Sequence, residues 1–178
     1  LYDGQAAAVL DERAPLIFDT ADPRRIYDLS KALGENVTLT RTEGRGAVAR
    51  LSNVFDWAPD APGFLSQWLI EAARARDLHL DSSPHVARDY IHLDDVVTAL
   101  ITMATRSATG VVNVASGELT ANGEIANLFI EAGWHVTFSR DVSPAPPPRA
   151  EIARLRALGV APQPVKDVVR RYLEGLRA

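Results

Sequence analysis

The sequence predicts an α/β fold with mainly parallel strands. Short β-rich apolar runs alternate with helical segments along most of its 178 residues, the order expected when crossover helices return the chain to a parallel sheet. A composition of 47% hydrophobic and 24% charged residues is globular rather than disordered or fibrous. The length suits one domain with a real core.

Residues 1–22 read as irregular, with scattered apolar residues and Pro15. A helix is expected to open at Asp22-Pro23, with Asp as cap and Pro at the first helical position. Ile26, Leu29, Leu33 and Val37 recur at helical spacing. The stretch 37–40 is β-rich, yet the helix is expected to continue to the break at Gly44-Arg45-Gly46. Residues 47–54 (AVARLSNV) read as a buried strand, 62–76 as a helix with Pro near its start, and 78–80 and 88–93 as short strands. The helix expected over 94–106 opens with Asp94 and Asp95, which suits the positive end of its dipole. Residues 111–116 form a strand ending in a Ser116-Gly117 turn. A helix over 120–132, a strand over 134–138 and a closing helix over 164–176 complete the order. The Pro-rich stretch 143–149 is too short for a spacer and reads as a stiff loop.

Several function classes fall away. The chain has no cysteine, which removes disulfide scaffolds, thiolate metal sites and cysteine nucleophiles. A net charge of −4 argues against nucleic acid, because phosphate backbones need concentrated Lys and Arg. No run of about 18 apolar residues is present to span a membrane. The first residues lack a basic start and an apolar signal core, so a cytoplasmic location is expected. His79, His85, His92 and His135 lack the spacing of a zinc site, and no metal is expected. Trp57, Trp68 and Trp134 read as core or pocket wall. The 17 Arg against 2 Lys, Lys31 and Lys166, fit a GC-rich, bacterial genome. In so lysine-poor a chain, a lysine beside a tyrosine stands out.

That pair is Tyr27 and Lys31, at i and i+4 of the first helix and so on one face, with Cβ atoms about 6 Å apart. A phenol titrates near 10 when unperturbed and is a poor base at neutral pH. A neighbouring ammonium favours the phenolate. Such a pair can move a proton on or off a substrate hydroxyl while a cofactor moves hydride.

The order YDLSKALGE (27–35 within IYDLSKALGE), RLSNVF (50–55), RDYIHLDDVV (88–97) and GVVNVASGE (110–118) resembles the extended short-chain dehydrogenase/reductase family. More narrowly it is similar to the NAD-dependent nucleotide-sugar epimerases and dehydratases. The resemblance covers almost the whole chain, from Tyr2-Asp3-Gly4 to the last helix. It implies a Rossmann-like parallel sheet, its C-terminal part, with a small α/β substrate-binding subdomain. It also implies NAD or NADP as cofactor and a nucleotide sugar as substrate, processed by epimerisation or dehydration through a ketosugar.

Site residues follow from the same resemblance, position by position. Tyr27 resembles the family's acid/base. Lys31 resembles the lysine that holds the nicotinamide ribose and eases ionisation of the tyrosine. Leu51 and Ser52 fall where a strand end passes the nicotinamide. Asn53, Arg88 and Arg140 resemble residues that contact the nucleotide sugar, Arg88 by pairing with the diphosphate; the local match at Arg140 is poor. Two further readings stay open beside this one: an NADP-dependent carbonyl reductase sharing Tyr27 and Lys31, and a non-catalytic scaffold domain.

The family's Gly-rich phosphate loop does not occur in these residues. The resemblance therefore implies that residues 1–178 are a C-terminal part, with an N-terminal dinucleotide-binding half of about 100–150 residues on the same or a separate chain. A homodimer is the further partner weighed. Residues 55–64 and 81–90 depart from the family pattern where they would border the sugar pocket.

Overall fold

The structure is a computed structural model that describes residues 8–177. The Tyr2-Asp3-Gly4 stretch lies outside the described residues. The regular elements are β1 (Val9–Leu10), α1 (Ile26–Arg41), β2 (Ala47–Leu51), β3 (Asn53–Phe55), α2 (Phe64–Ala72), β4 (Asp77–Leu80), β5 (Ala87–His92), α3 (Leu93–Thr105), β6 (Gly110–Val114), β7 (Leu119–Ala121), α4 (Asn122–Glu131), β8 (His135–Phe138), β9 (Arg149–Ala150), α5 (Ala153–Ala157) and α6 (Val165–Gly175). Among the described residues, β1–β9, β2–β6, β3–β5 and β4–β8 all pair parallel, and β5–β7 is antiparallel. The expected α/β class with mainly parallel strands is therefore observed.

Apolar side chains gather in two clusters. One joins Trp68 and Leu69 of α2, Leu78 and Leu80 of β4, Phe129 of α4 and Val168 and Leu173 of α6. The other joins Val96 and Met103 of α3, Val112 and Val114 of β6 and Leu155 of α5. Strand β5 serves both, because successive side chains point to opposite faces: Tyr90 enters the first cluster and Ile91 the second. The candidate cleft lies along this strand and the ends of β2 and β3.

Helix α1 extends to Arg41 and breaks at Glu43 and Gly44, both at positive φ, as the sequence indicates. Its start differs slightly. A single 3-10 turn at Pro23–Arg25 precedes it, and the Asp22 carboxylate lies 3.7 Å from Arg25. Helix α2 stops at Ala72, four residues early. Trp134 Nε1 donates to the carbonyls of Ala72 and Ala75 there, closing the helix end.

The stretch 47–54 is not one buried strand. It splits at Ser52 into β2, which pairs with β6, and β3, which pairs with β5. Strand β2 is only half-buried, with Leu51 49% exposed, because β6 is its one strand partner among the described residues. Three short pieces lack sequence signals: β7 ahead of α4, the β1–β9 pair and α5. No helix among the described residues is long and apolar enough to cross a membrane, and no group of three or more His, Cys, Asp or Glu there could hold a metal.

Candidate functional site

A cleft of about 1030 Å³ opens between α1, the β2–β3 junction, β5 and the Pro-rich loop. Tyr27 and Lys31 line it from α1, Leu51, Ser52 and Asn53 from the strand ends, Arg88 and Asp89 from β5, and Pro144 and Pro146–Pro148 from the loop. Six of the seven residues the sequence singles out therefore share one cavity.

The α1 wall brings the phenol and the ammonium together. Lys31 Nζ lies 5.0 Å from the centroid of the Tyr27 ring, so the i, i+4 spacing produces the contact expected of it. Tyr27 is 67% exposed, leaving its phenol open to the cleft. Lys31 forms no ion pair among the described residues.

On β5, Arg88 and Asp89 have opposite fates because they face opposite sides of the strand. Asp89 is buried and fully engaged. It accepts from Ser116 N–H at 2.9 Å, Ser116 Oγ at 2.8 Å and Gly117 N–H at 2.9 Å. It thereby fixes the turn after β6, where Gly117 at φ +77° leaves a Cβ only 3.0 Å from Ile152. Burial pushes the Asp89 carboxyl above its ordinary 3.8, outweighing the hydrogen bonds that pull it down.

The folded state thus holds that proton more tightly than the unfolded chain. The stability this group contributes is present below 3.8 and is lost as pH rises through the raised value. In urea unfolding, the advantage of wild type over Asp89→Asn should therefore shrink from acid pH towards neutrality. A difference that widens with pH would contradict this placement.

Arg88 is half-buried and pairs with no carboxylate among the described residues. Its guanidinium carbon lies 4.9 Å from the Phe64 ring centroid, a cation–π contact at the head of α2. Its Nη1 is buried without a hydrogen-bond partner, a state that is costly until an acceptor arrives. Burial raises the neighbouring Tyr90 phenol, and the Arg88 cation partly offsets this. Asn53 donates from Nδ2 to the Asp89 carbonyl at 2.9 Å. Ser52 N–H donates to the Val114 carbonyl at 3.1 Å, which ties the β2 end to β6.

The structure places Arg140 elsewhere. Its Nη2 donates to both Asp81 carboxylate oxygens, at 2.9 and 3.1 Å, on the exposed β4–β8 edge. Three contributors carry little or no advance signal: Phe64 beneath Arg88, the proline loop as a cleft wall, and an ion pair between Glu35 and Arg50. Only Glu35 had one, standing one helical turn after Lys31. Trp57 is stacked between His92 and Tyr172, whereas Trp68 and Trp134 are core.

With Asp89 occupied by its turn and Glu35 by Arg50, Lys31 and Arg88 are, among the described residues, the cations lining the cleft without a carboxylate partner. Such a cavity favours an anionic ligand that also offers a hydroxyl to Tyr27.

A family model described as the NAD dependent epimerase/dehydratase family matches residues 4–115. Comparison with curated proteins finds no match. Among solved structures, the chain is similar to dTDP-glucose 4,6-dehydratase from Bacillus anthracis in complex with NAD, at 16% identity and TM-score 0.75, covering 97% of this chain and 57% of that one. It is similar to a variant of UDP-glucuronic acid 4-epimerase from Bacillus cereus, at 15% identity and TM-score 0.74, covering 99% and 58%. It is similar also to MoeE5 in complex with UDP-glucuronic acid and NAD, at 22% identity and TM-score 0.73, covering 99% and 61%. The chain thus spans less than two thirds of the length of each of these proteins, and the likeness is one of fold.

Proposed function

Because the chain belongs to the NAD dependent epimerase/dehydratase family, we propose that it takes part in NAD(P)-dependent modification of a nucleotide sugar, by epimerisation or dehydration through a ketosugar. The observation that carries this reading is the shared cleft: the Tyr27–Lys31 pair opens on the same cavity as the carboxylate-free Arg88.

The donor set fits the nicotinamide-riboside end of the cofactor. An ammonium and a phenol suit ribose hydroxyls, and the exposed Leu51 with the adjoining Ser52 backbone suits a flat ring. Lys31, Tyr27, Leu51 and Ser52 are the residues that would hold it. Bound there, NAD(P) supplies a hydride acceptor and donor.

Tyr27 takes the proton from a sugar hydroxyl, the carbon that bears it gives up a hydride for which bound NAD(P) would be the acceptor, and a carbonyl results. Lys31 stabilises the phenolate that Tyr27 presents before it takes that proton. Arg88 holds the diphosphate through charge-assisted hydrogen bonds, and the Phe64 ring packs against its guanidinium. Asn53 offers its amide oxygen to the sugar while Nδ2 stays on the strand. Arg140 receives no role, since its guanidinium is committed to Asp81.

The test is product analysis by NMR after incubating the full protein and NAD(P) with UDP-, dTDP-, GDP- and CDP-linked hexoses. An epimer or a ketosugar from one of them is expected. Turnover of simple ketones alone would favour a carbonyl reductase, and no turnover of either class would favour a scaffold.

A further inference from the structure

Tyr27, Lys31 and Glu35 stand at i, i+4 and i+8 on one stripe of α1. A carboxylate one turn beyond a lysine lies within ion-pairing reach of it. Left alone, Glu35 would draw the Lys31 ammonium down the helix and neutralise it. It does not, because Arg50 of β2 grips Glu35 with a two-pronged fork, Nε to Oε2 at 3.0 Å and Nη2 to Oε1. The pair is almost wholly enclosed, at 7% and 10% side-chain exposure. Arg50 is itself held in place, donating from Nη1 to the Glu12 carbonyl at 3.4 Å.

We propose that Arg50 is a positioning residue that sequesters Glu35 and so keeps the Lys31 ammonium available to Tyr27 and the cofactor ribose. This rests on the acid/base reading of Tyr27 and Lys31. The fork geometry makes the capture selective: guanidinium and carboxylate match in two parallel hydrogen bonds, whereas an ammonium offers a point charge. The pair also joins α1, which buries none of its own residues, to the strand that leads into Leu51, Ser52 and Asn53. One interaction thus fixes the catalytic helix against the strand end and removes a competing anion from Lys31.

The consequence is a rescue pattern that a purely structural brace would not give. Arg50→Gln frees Glu35 to pair with Lys31. It should lower kcat about tenfold, move the pH–rate profile to higher pH and weaken NAD binding, with KM for the nucleotide sugar little changed. Adding Glu35→Gln should restore most of each loss, although the brace is still absent. Arg50→Lys, which retains the charge but loses the fork, should fall between wild type and Arg50→Gln.

A second readout needs neither substrate nor turnover. Residues 1–178 hold only two lysines, and their side-chain signals in a lysine-selective ¹⁵N NMR spectrum are assigned with Lys31→Arg and Lys166→Arg variants. Lys166, already paired with Glu124, is the internal reference. The Lys31 signal should shift in Arg50→Gln and return in the double variant, while Lys166 stays still. A Lys31 signal identical in all three proteins, or a double variant as impaired as Arg50→Gln, would overturn the proposal. If wild type itself modifies no nucleotide sugar, the functional reading fails, and the lysine signals still decide whether Arg50 shields Lys31.

Discussion

Tyr27→Phe is expected to reduce turnover by about 10²–10⁴-fold, the usual range for a lost general acid/base. The phenol is exposed and lies against Lys31 of its own helix, so stability should change little. The loss should appear in kcat, with nucleotide-sugar affinity nearly intact, because the phenol contributes most where the proton is in flight. Steady-state kinetics and thermal unfolding of the variant check both halves. Near-normal turnover would return Tyr27 to the surface of an amphipathic helix.

Arg88→Ala should weaken nucleotide-sugar binding by about 2–4 kcal/mol, since the diphosphate loses a charge-assisted, partly buried partner. Arg88→Lys keeps the charge but loses the fork and its cation–π contact with Phe64, so it should be only partly tolerated. Asn53→Ala should cost less, about 0.5–1.5 kcal/mol for a neutral hydrogen bond. An ion pair from Arg88 to Asp89 or Asp94 would have supplied a structural explanation for the arginine. Asp89 instead serves the Ser116-Gly117 turn, and Asp94 faces His92 at 3.6 Å.

Much of this site was legible in the sequence because its elements are local. The Tyr27–Lys31 contact follows from helical spacing alone, and α1 runs to the glycine break that ends it. The split of 47–54 was not legible. VARLSNVF is continuously β-prone, and only the tertiary switch from β6 to β5 interrupts it at Ser52. Strands of two or three residues, such as β1, β7 and β9, are too short to carry a period. The fate of Arg140 depends on Asp81, 59 residues away, and no local pattern encodes that pairing. Phe64 under Arg88 is likewise a contact between the head of α2 and β5, whereas Glu35 was readable from its spacing and became meaningful only once Arg50 was seen across from it.

The central claim is that this cleft receives a nucleoside diphosphate through Arg88, within reach of Tyr27 and Lys31. Thermal unfolding of the full protein with UDP, dTDP, GDP and CDP in turn, repeated on Arg88→Ala, tests it most directly. One nucleotide should raise the Tm of wild type and leave the variant unmoved. No rise with any of the four, or an equal rise in both proteins, would contradict it.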